Sequence, residues 1–497
     1  MKITALGHSA FLVEMVAENG TTVRILGDPW LTDYVIGDVM GRAPRVRLDL
    51  DAMPPLDGIY LSHSHTDHLD PYTLVPMWQQ LSTKPALILP QSLAYLQPLL
   101  AEYLTGAQFI VLEENVVNDL NGVSLRGLFN LEQNGTNEDD VMMLLAETER
   151  ELFLAEADAV FPYNEAEARQ SIASLLDRDL DAAVFLPIKN ELEALMASVH
   201  ATTVEERHEL ITEAREEVLS EIDSTYTPIG NDSDPLWGKP QVLRLIGGQG
   251  ICFPQAVDKE WNRVLFPIPL ELRARMESDI ASDYGHEHMI EAFQAGFTYT
   301  TETGGSPTIE RCSFVEVLDD PSEFAYDGSV ERFEDFPLSA LRDRTVTRSE
   351  LEARLLPALN DRFLPWLIGR RQPPIEHLLS AYGGSYRIRI LYTTSDAIEE
   401  TDYIISFEHL RFQATDADDE AQEVYWAADL DDYFDGRCDD FSTFCRRPAG
   451  GDARHFWDCL GMPYLNNDLV AKKLRFHFER AHNGDSVDSF VLPLWGS

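Results

Sequence analysis

Leu61-Ser-His-Ser-His-Thr-Asp-His-Leu-Asp70 sets four potential metal ligands, His63, His65, Asp67 and His68, within six residues. The apolar run Gly58-Ile-Tyr-Leu61 leading into it predicts a buried strand, so the ligands stand where a strand gives way to a loop. His63 and His65 are two apart, and on extended backbone such residues point to the same side. Asp67 and His68 follow where the chain turns and are placed to face a second ion. Imidazole and carboxylate suit zinc, iron or manganese. With 13 histidines in 497 residues, this density is improbable by chance. The competing reading is a histidine-rich loop without function.

Upstream, Lys2–Leu6, Ala10–Glu14 and Val23–Leu26 read as strands, the first two separated by the turn Gly7-His8-Ser9. The third ends at Gly27-Asp28-Pro29-Trp30-Leu31, where Pro29 stops it. Downstream, Asp70 reads as the N-cap of a helix with Pro71 in its first turn. Strands at 86–89 and 109–112 bracket a helix over 92–104. Hairpin-like strands follow at 122–127, 141–146 and 152–155, the last ending at Glu156-Ala157-Asp158. Then come a helix over 166–176, a strand over 182–186, helices over 191–198 and 204–222, and a helix over 271–280. Ile290-Glu-Ala-Phe293 reads as a further helical turn. Strand–helix alternation after hairpins predicts sheet layers with helices outside.

Composition narrows the function. Asp plus Glu is 85 against 39 for Lys plus Arg, a formal charge of -46. Nucleic acid and anionic membranes both need a basic patch, so neither is expected as a partner. Five scattered cysteines form no C-x-x-C pair, so no zinc ribbon or disulfide framework is expected, and a cytoplasmic setting fits. No run of about 18 apolar residues predicts a membrane span. A small-molecule substrate, anionic if a local basic pocket receives it, is the expected partner.

The strand order, Gly7-His8-Ser9, Asp28-Pro29-Trp30-Leu31 and the H-x-H-x-D-H pattern of residues 63–68 resemble the metallo-β-lactamase superfamily. Within it the likeness is to the branch of L-ascorbate-6-phosphate lactonase-like proteins and N-acylphosphatidylethanolamine phospholipase D. Residues 151–275 are weakly similar to CMP-N-acetylneuraminate hydroxylase, through the charged helix 206–222, Tyr226-Thr-Pro-Ile229 and Arg244–Pro254. That hydroxylase's paired Cys-x-His Rieske motifs are absent here.

The resemblance implies an αββα sandwich over residues 1–275 holding one or two divalent ions, zinc foremost, with iron or manganese as alternatives. It carries metal-ligand roles to His63, His65, Asp67 and His68, with Asp67 also the candidate catalytic carboxylate. Asp158 stands where the family has the acid of Gly-Asp-Thr, and takes the bridging role. Two family histidines lack a clear match, because no histidine lies between His68 and His200. Asn130, Glu132, Gln133 and Asn134 occupy the region of the first. His200 is the candidate for the second, with His286 and His288 as alternatives. His8 and Asp28 are expected to orient a ligand histidine or contact substrate; otherwise they are turn caps.

Residues 276–305 read as a connector, and 306–497 as an α+β domain. In that domain Tyr386–Tyr392 alternates, with 388, 390 and 392 on one face, and 402–407 and 424–427 continue the sheet. The sheet could form an apolar pocket or a homo-oligomer interface. Arg446-Arg447 and Lys472-Lys473-Leu474-Arg475 could hold an anion or balance nearby acids. Three functions follow: a metal-dependent hydrolase with a metal-activated water, acting on an ester, lactone or phosphoester; a non-haem iron oxygenase; or a binding protein depleted of its metal.

Overall fold

The structure is a computed structural model that describes residues 1–35, 41–114, 116–129, 141–159, 166–189, 204–227, 242–248, 251–252, 270–284, 289–301, 306–320, 346–369, 374–393, 397–416, 420–438, 443, 447, 455–461 and 467–486. The chain divides into two compact units. The first takes in Met1–Val35, Gly41–Phe333 and Ala481–Gly484; the second takes in Ile36–Met40, Glu334–Arg480 and Asp485–Ser497.

The first unit begins with β1 (Lys2–Gly7), β2 (Ala10–Val16), β3 (Thr22–Gly27), β4 (Gly41–Arg42), β5 (Val46–Leu48) and β6 (Gly58–Tyr60). Next come β7 (Ala86–Pro90), β8 (Gln108–Leu112), β9 (Asn118–Leu120), β10 (Val123–Phe129), β11 (Met142–Glu147) and β12 (Glu151–Ala157). It ends with β13 (Ala182–Lys189), β14 (Val242–Gly248), β15 (Ile251–Cys252), β16 (Met289–Ala292), β17 (Phe297–Thr300), β18 (Thr308–Arg311) and β19 (Val315–Val317). Two mixed sheets result. One has the order β18-β17-β1-β2-β3-β6-β7-β8, the other β16-β14-β13-β12-β11-β10-β9. In the first, β3, β6, β7 and β8 run parallel; in the second, β12, β13, β14 and β16 do.

The sheets pack face to face because one side of each is apolar. Ile3, Ala5, Phe11, Val13, Ile25, Tyr60 and Ile88 meet Leu125, Met142, Leu144, Phe153, Val184 and Leu186 in one core. The Phe11 and Phe153 rings lie 5.2 Å apart across it. Burying each such aromatic contributes about 1.5–3 kcal/mol. Gly27 is required there: a Cβ would sit 2.2 Å from the Phe11 ring.

On the outer side of the second sheet, Ile172, Ala173, Val218, Ile222, Tyr226 and Ala281 cover Leu145, Leu154, Phe185 and Val242. They come from the helices Ala166–Leu175, Val204–Tyr226 and Leu270–Asp283. The helix Pro71–Gln80 is the crossover between parallel β6 and β7. With its inner side taken by the other sheet, this crossover lies outside the first. Asp70 caps it by accepting from Tyr72 N–H at 3.0 Å, and Pro71 opens it. Helices thus cover two stacked sheets, the αββα arrangement expected.

Three expectations need correction. Residues 276–305 are not a connector: they supply β16 to one sheet and β17 to the other. The first unit therefore runs well past 275, and β18 and β19 extend its pairing to Val317. Ile290 lies in strand β16, not in a helical turn, because pairing with β14 satisfies its backbone where a four-residue run has no period of its own. His200, His286, His288, Asn130, Glu132, Gln133, Asn134, Arg446 and the expected helix 191–198 lie outside the described residues.

The second unit is α+β. Strands β20 (Ser385–Thr393), β21 (Ile398–Ser406), β22 (Gln413–Thr415) and β23 (Glu423–Trp426) form a sheet of order β22-β21-β20-β23. Ile388, Ile390 and Tyr392 are buried on one face, as the alternation predicts. They pack with Leu355, Leu359, Phe363, Leu379 and Leu430. Arg447 and Lys472 are paired with Glu423 and Asp435, so these two basic residues balance acids of their own unit.

Candidate metal centre

Three turns of the first sheet and one of the second converge on one point. Gly7-His8 joins β1 to β2, Asp28 ends β3, residues 61–70 follow β6, and Asp158 follows β12. The backbone at three of them is left-handed: φ is 49° at His8, 40° at Asp28 and 50° at Ala157. Non-glycine residues adopt this conformation rarely, at about 1–2 kcal/mol each. Among the described non-glycine residues only Asn121, in a hairpin, shares it. Such strain persists where surrounding structure fixes a side chain in place.

Asp28 organises the cluster from beneath. Its Oδ1 accepts from Ser62 N–H at 2.8 Å, and its Oδ2 accepts from Ser62 Oγ–H at 2.7 Å and from His68 Nδ1–H at 2.9 Å. With the Ser62 proton given to Asp28, Ser62 Oγ accepts from His63 Nδ1–H at 2.8 Å. Both imidazoles therefore present Nε2 to the centre. A carboxylate behind the histidine is the usual arrangement around metal-ligating imidazole, because it fixes tautomer and ring orientation.

In front, His68 Nε2 lies 3.2 Å from Asp158 Oδ2 and 3.7 Å from Asp67 Oδ2, and His63 Nε2 lies 3.6 Å from Asp158 Oδ2. His8 Nε2–H donates to Asp67 Oδ2 at 3.0 Å. The His63 ring centroid is 4.3 Å from that of His65 and 4.1 Å from that of His68. Two triads, His63–His68–Asp158 and His8–Asp67–His68, each bring one potential ligand atom per residue within 4.8 Å of the others. This differs from the expected division of His63 with His65 and Asp67 with His68. His68 belongs to both triads because the chain turns immediately after β6. His65 is half-buried beside His63.

The electrostatics suit a cation. Burial, with His68 and His65 nearby, pushes the His63 imidazole well below its ordinary range, so it stays neutral. Burial opposes charge on His68 too, but Asp158, Asp67 and Asp28 outweigh it and hold a proton there. Asp67 and Asp158 stay ionised against burial, through His68 and, for Asp67, His8. A metal replacing the His68 proton would find two carboxylates in place. His63 Nε2 and Asp158 Oδ1 are buried and make no hydrogen bond. Orphaned buried polar atoms cost about 1–3 kcal/mol, and nitrogen and oxygen donors converging this way fit zinc, iron or manganese. The Asp67 and Asp158 side chains are 13% and 18% exposed, whereas those of His63 and His68 are fully buried. Solvent thus reaches the cluster along its acids.

The sequence singled out His8, Asp28, His63, His65, Asp67, His68 and Asp158, and the structure gathers them. It missed Ser62, Ser9, whose Oγ lies 3.2 Å from His68 Nδ1, and Arg42. Arg42 is buried and donates to the carbonyls of Leu6 and Trp30. Ser62 adjoins the histidine cluster and could have been read as its support. Nothing in the sequence marks Arg42, which arrives through a two-residue strand.

Parallel strands of both sheets deliver Asp28, His63, His65, Asp67, His68 and Asp158 at their C-terminal ends; His8 comes from the antiparallel β1–β2 turn. The fold is an αββα sandwich, the architecture that the resemblance implies. No protein-family profile matches the chain. One curated relative, a protein of Mycolicibacterium smegmatis named as a Rieske 2Fe-2S iron-sulfur protein, is 37% identical over 71 residues, which is 14% of this chain and 13% of that one. The chain therefore spans a small part of that relative's length. Among solved structures the chain is similar to CmlA, a diiron β-hydroxylase from Streptomyces venezuelae, at 12% identity and TM-score 0.35, covering 63% of this chain and 54% of that one. It is also similar to the metallo-β-lactamase fold protein YhfI from Bacillus subtilis, at 12% identity and TM-score 0.30, covering 60% and 98%. A diphosphatase of the PhnP family matches at 11% identity and TM-score 0.25, covering 50% and 95%. No helix among the described residues is long and apolar enough to cross a membrane.

Proposed function

We propose that this protein is a metal-dependent hydrolase of a small ester, lactone or phosphoester. The observation that carries the reading is the set of buried, hydrogen-bond-free atoms, His63 Nε2 and Asp158 Oδ1, aimed into a cluster of imidazoles and carboxylates. His63, His65, Asp67, His68 and Asp158 are the residues that would hold one or two divalent ions. A bound ion supplies a water of lowered pKa and polarises a substrate oxygen. Asp67 stays ionised, is partly exposed, and engages His8 and His68 through Oδ2 alone. Its other oxygen would serve as the proton acceptor for a bound water. Asp28 and Ser62 keep the two ligand imidazoles from rotating.

Metal analysis combined with a panel of phosphodiesters, lactones and carboxylic esters tests the proposal. Turnover that is lost on chelation and in Asp67→Asn supports it. Metal-replete protein that turns over no member of the panel overturns it.

A second reading is an iron-dependent oxygenase. Mixed imidazole and carboxylate ligation suits iron, and the 71-residue match is to a protein named for a Rieske cluster. The five cysteines here form no Cys-x-His pair, so electrons would come from a separate donor. Oxygen uptake by iron-loaded protein with a reductant would support this reading; zinc as the sole metal of the purified protein would exclude it.

A further inference from the structure

We infer that His8 is itself a metal ligand, sharing an ion with Asp67 and His68. The inference rests on the metal-binding reading above.

Distances carry the argument. His8 Nε2 is 3.0 Å from Asp67 Oδ2, the same oxygen is 3.7 Å from His68 Nε2, and His68 Nε2 is 3.2 Å from Asp158 Oδ2. Atoms that share one ion through bonds of about 2.0–2.1 Å are roughly 3.0–3.4 Å apart, the edges of an octahedron or a tetrahedron. His8, Asp67 and His68 each bring one ligand atom within 4.8 Å of the other two, close enough for one ion to draw them into its shell, whereas Asp158 groups with His63 and His68.

The way His8 is held supports the same assignment. It sits at φ 49° directly after Gly7 at φ 93°, so two successive residues are left-handed. Its ring is fixed edge-on against Trp30 at 5.2 Å and against His68 at 5.5 Å, and its side chain is 1% exposed. Arg42 ties Leu6, before that turn, to Trp30, behind the ring. A Cβ on Gly7 would come 2.7 Å from the Arg42 guanidinium. A residue needed only to donate a hydrogen bond to Asp67 would not require a rigid ring, since a glutamine amide donates equally well.

Three variants separate ligand from hydrogen-bond donor: His8→Gln, His8→Ala and His8→Cys, each in the full chain beside the wild type. Zinc content is measured after equilibrium dialysis, affinity by competition with a chelator, and folding by thermal melting of the metal-free proteins. If His8 is a ligand, His8→Gln and His8→Ala each hold one zinc equivalent fewer than the wild type, or bind the last one at least about 100-fold more weakly, beyond what loss of an orienting partner alone tends to cost. Cobalt-loaded His8→Cys also gains thiolate-to-cobalt charge-transfer absorption in the near ultraviolet that the wild type lacks. His8→Gln with wild-type zinc content and affinity, together with His8→Cys that binds cobalt without the new absorption, overturns the assignment. Wild-type protein that takes up neither zinc nor cobalt sinks the metal-binding reading itself and this assignment with it. If the cysteine variant does not fold, the glutamine titration decides alone.

Discussion

Each unit of this chain buries a cluster of charged and polar groups, and the two are finished differently. In the second unit Glu423 is fully buried, and both of its oxygens are taken. Oε1 accepts from the Tyr386 hydroxyl and from Phe456 N–H at 2.5 Å; Oε2 accepts from the Tyr425 hydroxyl and from Arg447 Nη1 at 3.3 Å. The Arg447 guanidinium also stacks over the Tyr425 ring at 5.1 Å. In the first unit, Asp158 Oδ1 and His63 Nε2 are left without hydrogen bonds, though Asp28 and Ser62 satisfy the same imidazoles from behind. Burial and charge are common to both clusters. What separates them is the buried acid: both oxygens of Glu423 are taken, whereas Asp158 keeps Oδ1 open and so has room for a ligand.

The largest expected effect would break the comparison on the open side. Asp158→Ala and His68→Ala should abolish retention of metal after dialysis; metal-free Asp158→Ala should melt no lower than the metal-free wild type, whereas His68→Ala should melt lower because it leaves Asp28 buried without its donor. Unchanged metal content in either variant would make the first cluster structural after all. Glu423→Ala should do the reverse, costing about 3–5 kcal/mol in denaturant unfolding, because it leaves Arg447 and two tyrosines buried without their acceptor, with metal content unaltered.

Asp28→Asn is expected to be milder. It keeps the side chain's size but weakens the hold on His68 Nδ1, so zinc affinity should fall by about 10–100-fold, read by chelator competition. An affinity equal to wild type would show that Asp28 serves only the turn.

The smallest effect concerns a closed ion pair on the outer side of the second sheet. Burial opposes charge on Glu277, but Arg244, the Tyr226 hydroxyl and Arg273 outweigh it and hold its carboxyl below the ordinary range. The folded pKa is thus lower than the unfolded one. Its contribution is present above the unfolded carboxylate range and is lost as pH falls through the folded value. Urea unfolding of wild type and Glu277→Gln should therefore differ most near neutrality and converge under acid. A constant difference across that range would mean that shape alone matters at this position.

The contrast also explains what the sequence could and could not disclose. The histidine cluster, the Asp70-Pro71 helix start and the long apolar strands were legible because each is a local signal. Asp28 and Asp158 were legible as acids at strand ends. Strands β16 to β18 were not, since four-residue segments have no period and owe their form to neighbours already in the sheet. The division of ligands between triads was also hidden: His68 joins both because of a turn whose shape no spacing encodes. Ser62 and Arg42 act through serine and carbonyl contacts that are made only once β3, β4 and β6 are adjacent.

The left-handed backbone at His8, Asp28 and Ala157 carries a lesson for anyone engineering this protein. Glycine at residue 157 would relax its turn and raise thermal tolerance, while freeing the peptide that aims Asp158. A library ranked by heat resistance alone would collect such changes and discard the centre step by step. Ranking by retained metal would keep the strain and accept a lower melting point, so the choice of selection decides which protein survives.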